Sequence, residues 1–144
     1  MPFLGNKKII KFIYFLGIIR WYNVLLMVLG QYFLALFVFG PQYSFHQIVF
    51  DKTLHLMVLS TIFTLCGAFV INSFYDSDKD LVNRPKSALV GRAIGTTFLA
   101  NSYVLFNFLA SLFAFCASKK IFIFYIFYIL ICWFYSHKLQ KKPI

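Results

Sequence analysis

Residues 54–80 read Leu54-His55-Leu56-Met57-Val58-Leu59-Ser60-Thr61-Ile62-Phe63-Thr64-Leu65-Cys66-Gly67-Ala68-Phe69-Val70-Ile71-Asn72-Ser73-Phe74-Tyr75-Asp76-Ser77-Asp78-Lys79-Asp80. Up to Tyr75 the stretch has no Asp, Glu, Lys or Arg. At about 1.5 Å per residue it spans a hydrocarbon layer of ~30 Å as one helix. The next five residues then hold three of the four acids in the chain, all of which are Asp. A membrane span that runs into a carboxylate cluster decides the fold class and marks a candidate site.

The rest of the 144 residues agree with that reading. Hydrophobic residues make up 61% and aromatic ones 22%, with 20 Phe, and only 12% are charged; the mean hydropathy is +0.78. Soluble domains carry roughly twice that charged fraction, and disordered chains are far less apolar, so both classes are excluded. The expectation is an all-α membrane protein with one transmembrane domain over 1–144. Its spans fall at about 22–39, 54–75, 93–117 and 121–135, with a polar loop at about 76–92. Gly40-Pro41 breaks the chain after the first span. The apolar run 12–19 is too short to cross and is interrupted by Arg20, which predicts a short interfacial helix feeding the first span. A signal peptide fits less well, because the apolar stretch resumes directly after Arg20.

Orientation follows from the basic residues. Lys7, Lys8, Lys11, Arg20, Lys79, Arg84, Lys86, Arg92, Lys138, Lys141 and Lys142 fall on one side, and Lys52, Lys119 and Lys120 on the other. Eleven against three predicts both termini and the Asp-bearing loop in the cytoplasm, and the expected location is the plasma (bacterial inner) membrane. Cys66, Cys116 and Cys132 all fall in spans without metal spacing and read as buried structural thiols. His46, His55 and His137 are scattered and define no site by spacing.

Asn72, Asp76 and Asp80 recur at i, i+4 and i+8. At about 100° per residue they share an arc of about 80° on one helix face, roughly 6 Å apart along the axis. Asp78 lies about 200° round from Asp76. Carboxylates at that separation are poorly placed to grip one bare ion together; they suit two Mg²⁺ ions, or one held partly through water, with phosphate oxygens filling the remaining sites, and a diphosphate is the natural ligand. Asn72 can support the ion or its waters. An EF-hand loop counted from Asp76 would need Gly and Glu where Leu81 and Ser87 stand, so the calcium reading fails. Simple solvation of a helix end is also disfavoured, because the dipole there opposes negative charge and carboxylates at a membrane edge are expensive. Arg84 and Lys86 follow and suit diphosphate oxygens, although positive-inside bias alone also explains them.

Asn72, Asp76 and Asp80, then Asn83-Arg84-Pro85-Lys86 and Gly91-Arg92, resemble the motif of the UbiA-type intramembrane prenyltransferases. Arg20-Trp21-Tyr22-Asn23 resembles that family's first-helix Arg-x-x-Asn signature, and Tyr135-Ser136-His137-Lys138-Leu139 its Tyr-Ser-x-x-Leu stretch. The resemblance implies a helical bundle and an enzyme that transfers alkyl groups other than methyl, moving a prenyl group from a polyprenyl diphosphate to a lipid-soluble acceptor. It implies Mg²⁺ on Asp76 and Asp80, with Asn72 in support, as the catalytic set. Arg84 and Lys86 would meet the phosphates, and Asn23 would line the pocket. Val90-Gly91-Arg92 resembles the branch that uses glycerol phosphate ether acceptors. Membrane lipids are the other expected partners, and no nucleic acid is expected.

The sequence departs from the family at Ser87-Ala88, where a further Arg is usual, and at Gln140, where Lys is usual. The family's second Asp-rich motif lies beyond its fourth helix. The expectation is therefore the N-terminal portion of such an enzyme, truncated and without turnover unless a second half or a homo-oligomer completes it. The alternative is a non-catalytic remnant or a membrane subunit that binds phosphate-bearing lipids.

Overall fold

The apolar run that opens the site is the larger part of one helix of 32 residues that does not stop at the acids. A computed structural model describes residues 7–40, 42–83 and 95–139, with side chains described for 9, 11–40, 42–75 and 95–137. Among these residues all regular structure is helical. The elements are α1 (Lys7–Ile18), α2 (Trp21–Leu34, continued by a π turn over Ala35–Phe39), α3 (Phe45–Val49), α4 (Lys52–Asn83), α5 (Thr96–Ala117) and α6 (Lys119–Phe134, continued by a π turn over Tyr135–Leu139). Among the described residues four segments are long and apolar enough to cross a membrane: Trp21–Phe39, Lys52–Tyr75, Thr96–Ala117 and Lys119–His137. The chain is an all-α membrane protein.

Two boundaries differ from expectation. The loop expected to begin at residue 76 begins no earlier than residue 84, because α4 continues to Asn83. Charge alone does not end a helix. The first strong breaker after the span is Pro85, which disfavours helical backbone at the residue before it. The second difference is α3, a single turn between the first two spans. It is closed by a capping box in which the Ser44 hydroxyl accepts from the Gln47 N–H and the Gln47 side chain accepts from the Ser44 N–H. Gly40 permits the tight approach of α3, since a Cβ there would lie 2.5 Å from Ile48 Cδ1 and 2.6 Å from the Ala35 carbonyl oxygen. Asp51, the one acid outside the cluster, accepts from the Thr53 N–H at 2.8 Å and so caps the start of α4.

The central span is α4, with 44% of its most apolar window buried against 6% for the first span. Its principal partner is α5. The seam is built from small residues: Ser60, Thr64 and Gly67 on α4, Ala110 and Ala114 on α5. Ala110, Ala114 and Val70 have no exposed surface. Small side chains let two backbones approach closely, which is how helices gain contact in lipid, where the hydrophobic effect does not drive them together. Phe63 stacks on Phe113 at the flank of this seam. Phe37, Phe108 and Phe124 face outward, where the hydrocarbon of a bilayer accommodates apolar side chains.

A polar junction ties α2 and α6 to α4. Gln31 Nε2 donates to Thr61 Oγ1 at 2.7 Å, Thr61 Oγ1 lies 2.6 Å from the Tyr125 hydroxyl, and that hydroxyl lies 3.0 Å from the Met57 carbonyl. Gln31 Oε1 is buried and has no hydrogen-bond partner among the described residues. Tyr125→Phe keeps the ring and removes the hydroxyl shared by two partners. The expected cost is about 1 kcal/mol, measured as a lowered unfolding midpoint in detergent.

The thiols are not uniformly buried as expected. Cys66 is buried, Cys132 is half-buried and Cys116 is exposed on the outer surface of α5. A thiol is apolar enough to face lipid, so burial in protein is not required of it.

Candidate functional site

The unbroken α4 extends the helical register through Asn72, Asp76 and Asp80. Their Cα atoms therefore lie on one stripe, within about 80° of arc. Asp78 stands on another face of the same helix, also as the period requires. The side chains of Asp76, Asp78 and Asp80 lie outside those described, and Arg84, Lys86 and Gly91-Arg92 lie outside the described residues altogether. Asn72 is half-buried. Among the described residues no cluster of three His, Cys, Asp or Glu could hold a metal.

One cation reaches this stripe from another helix. Arg20 lies between α1 and α2 with φ 49° and ψ 53°, the left-handed region, where it is the one non-glycine residue among those described. Its N–H donates to the Gly17 carbonyl at 3.2 Å and its carbonyl accepts from the Asn23 N–H at 2.8 Å, so a single residue ends one helix and starts the next. Gly or Asn is the usual choice there, and a branched-Cβ-free but bulky Arg costs roughly 1–2 kcal/mol. The guanidinium carbon stands 5.4 Å from the centroid of the Phe69 ring, a cation–π distance. Phe69 precedes Asp76 by seven residues, which places it about 20° from Asp76 on the helix circumference and about 10 Å below it. The interruption of the apolar run at Arg20 was visible in the sequence; the face it approaches was not.

Asn23 sits in the first turn of α2 and is half-buried. Helix α2 packs against α4.

A second feature at the same end is invisible to sequence spacing. Tyr75, the residue before Asp76, meets His137 of the π turn after α6: hydroxyl to Nδ1 is 3.1 Å, and the rings are edge-to-face at 5.5 Å. His137 also stacks flat on Trp133, with centroids 5.2 Å apart and planes 3° from parallel. Ser136 beside it is buried.

A cavity of about 660 Å³ lies elsewhere, lined by Gln31, Leu34, Phe39, Ile48, Asp51 and Met57 among others. It flanks the start of α4, the end remote from Asp76. It contains none of the residues singled out for diphosphate chemistry.

Comparison with protein-family models, with curated proteins and with solved structures finds no match to this chain.

Proposed function

We propose that the chain binds a polyprenyl diphosphate through Mg²⁺ at Asp76 and Asp80 and serves in transfer of the prenyl group to a lipid-soluble acceptor. The observation that carries the reading is the continuity of α4, which keeps Asn72, Asp76 and Asp80 on one stripe where the membrane span ends. The backbone fits an ion shared with a diphosphate, since carboxylates about one turn apart leave coordination sites for phosphate oxygens. Asp76 and Asp80 would hold Mg²⁺, with Asn72 in support, and the ion would supply positive charge for a leaving diphosphate. The Arg20 guanidinium, over the Phe69 ring, adds a positive charge beside that face deeper in the span. In the reaction the prenyl C1–O bond breaks with its electron pair leaving on diphosphate, and C1 bonds to the acceptor nucleophile, which loses a proton. The prenyl tail lies among the aromatic spans. The eleven-to-three division of basic residues supports an orientation with the Asp-bearing end and both termini on the cytoplasmic side, in our reading of a bacterial inner membrane.

The reading is tested by retention of radiolabelled farnesyl diphosphate on the full chain in lipid nanodiscs. Saturable retention that requires Mg²⁺ is expected; equal retention with chelator present would overturn the proposal. Arg20→Gly separates fold from function. Gly relieves the left-handed strain, so the unfolding midpoint is expected to hold, while diphosphate affinity falls by about tenfold through loss of one cation close to the anion. Unchanged affinity would remove Arg20 from the site.

A further inference from the structure

We infer that Tyr75 and His137 form a clamp that sets the position of the Asp-bearing end of α4, making His137 a positioning residue for the carboxylate pair. This rests on the diphosphate reading above and goes beyond it. Histidine 137 is held in three ways. Its Nδ1 shares a hydrogen bond of 3.1 Å with the Tyr75 hydroxyl, its ring meets the Tyr75 ring edge-to-face, and its other face lies parallel to Trp133 one turn earlier. Ser136 beside it is buried. Which of the Tyr75 hydroxyl and His137 Nδ1 donates follows from the tautomer of the imidazole.

The place of this tie gives it consequence. Tyr75 is adjacent to Asp76, so a shift of Tyr75 is passed along a rigid helix to both carboxylate positions. Helix α4 continues two turns past Tyr75, so small rotations at Tyr75 become displacements of the stripe. A metal shared between two carboxylates and a diphosphate tolerates little such movement, which is why the groups that orient ligands affect affinity about as strongly as some ligands do. The alternative, that the contact only holds two helices together, predicts loss of stability without specific loss of metal-dependent binding.

The experiment uses the full chain in nanodiscs, with farnesyl thiodiphosphate and Mg²⁺ as the probe. Tyr75→Phe, His137→Leu, the double variant and His137→Asn are compared. Asparagine keeps an acceptor near the position of Nδ1. Each of the first two is expected to weaken Mg²⁺-dependent binding by about tenfold, the double variant no further than either, and His137→Asn to recover most of the loss. Unfolding midpoints are measured in parallel. Unchanged affinity, additive losses, no recovery with Asn, or losses that merely follow the folded fraction each overturn the clamp as a positioning device while wild-type binding leaves the diphosphate reading standing. Absence of Mg²⁺-dependent binding by the wild type overturns that reading and the positioning role with it; coupling of the two residues in the midpoints alone then marks a purely structural contact.

Discussion

Asp76→Asn and Asp80→Asn are each expected to weaken Mg²⁺-dependent binding of a prenyl diphosphate by about a hundredfold or more, whereas Asp78→Asn leaves it within about twofold. Asn is nearly isosteric with Asp but lacks the charge that a hard dication requires, and removing one of two anionic ligands forfeits most of the attraction. Asp78 is the internal control. It has the same chemistry and nearly the same place in the chain, but stands about 200° round the helix from Asp76. A site made by local negative charge alone would lose affinity similarly with all three. Titration calorimetry on the chain in nanodiscs, with farnesyl thiodiphosphate at saturating Mg²⁺, distinguishes these outcomes. Equal effects of the three substitutions would show that the stripe is not the site.

The second large effect is expected in the α4–α5 seam. Ala110→Leu should destabilise the bundle by about 2–3 kcal/mol, because three extra carbons must enter a contact with no exposed surface. Gly67 and Asn107 fix the register of the two helices: a Cβ on Gly67 would lie 3.3 Å from Asn107 Nδ2. Ala110, one turn beyond Asn107 on an antiparallel helix, therefore lies near the level of Thr64. Leucine there forces the helices apart and loosens packing along the seam. Leu112→Ala is the contrast. Leu112 is 44% exposed on the same helix, and its truncation should change stability by less than about 1 kcal/mol. Buried Cys66 provides the measurement: with Cys116 and Cys132 replaced by Ser, a thiol-reactive dye reports unfolding through Cys66 alone. A midpoint for Ala110→Leu equal to that of the parent would show that the seam is not close-packed.

The spans were legible because about twenty uncharged apolar residues have few alternatives to crossing a bilayer as a helix. The stripe of Asn72, Asp76 and Asp80 was legible because helical register is local arithmetic. One boundary departs from the sequence reading for a physical reason: α4 runs on through the acids, since nothing before Pro85 prevents its continuation to Asn83. The contact of Tyr75 with His137 was not legible, because the two lie 62 residues apart and pairing across helices leaves no mark in spacing. The same holds for Gln31, Thr61 and Tyr125, whose junction depends on how three spans pack. Arg20 was partly legible. Its charge showed a break in the apolar run, but its left-handed backbone and its approach to Phe69 follow from the turn between α1 and α2.

The most direct test of the central claim replaces Mg²⁺ with Mn²⁺ and records electron–nuclear double resonance on the wild-type chain with farnesyl thiodiphosphate. Mn²⁺ bound to the protein with resolved ³¹P couplings is predicted, and both the bound ion and the couplings should vanish in the Asp76→Asn, Asp80→Asn double variant. Mn²⁺ that binds without ³¹P coupling, or a spectrum unchanged by the double substitution, would contradict it.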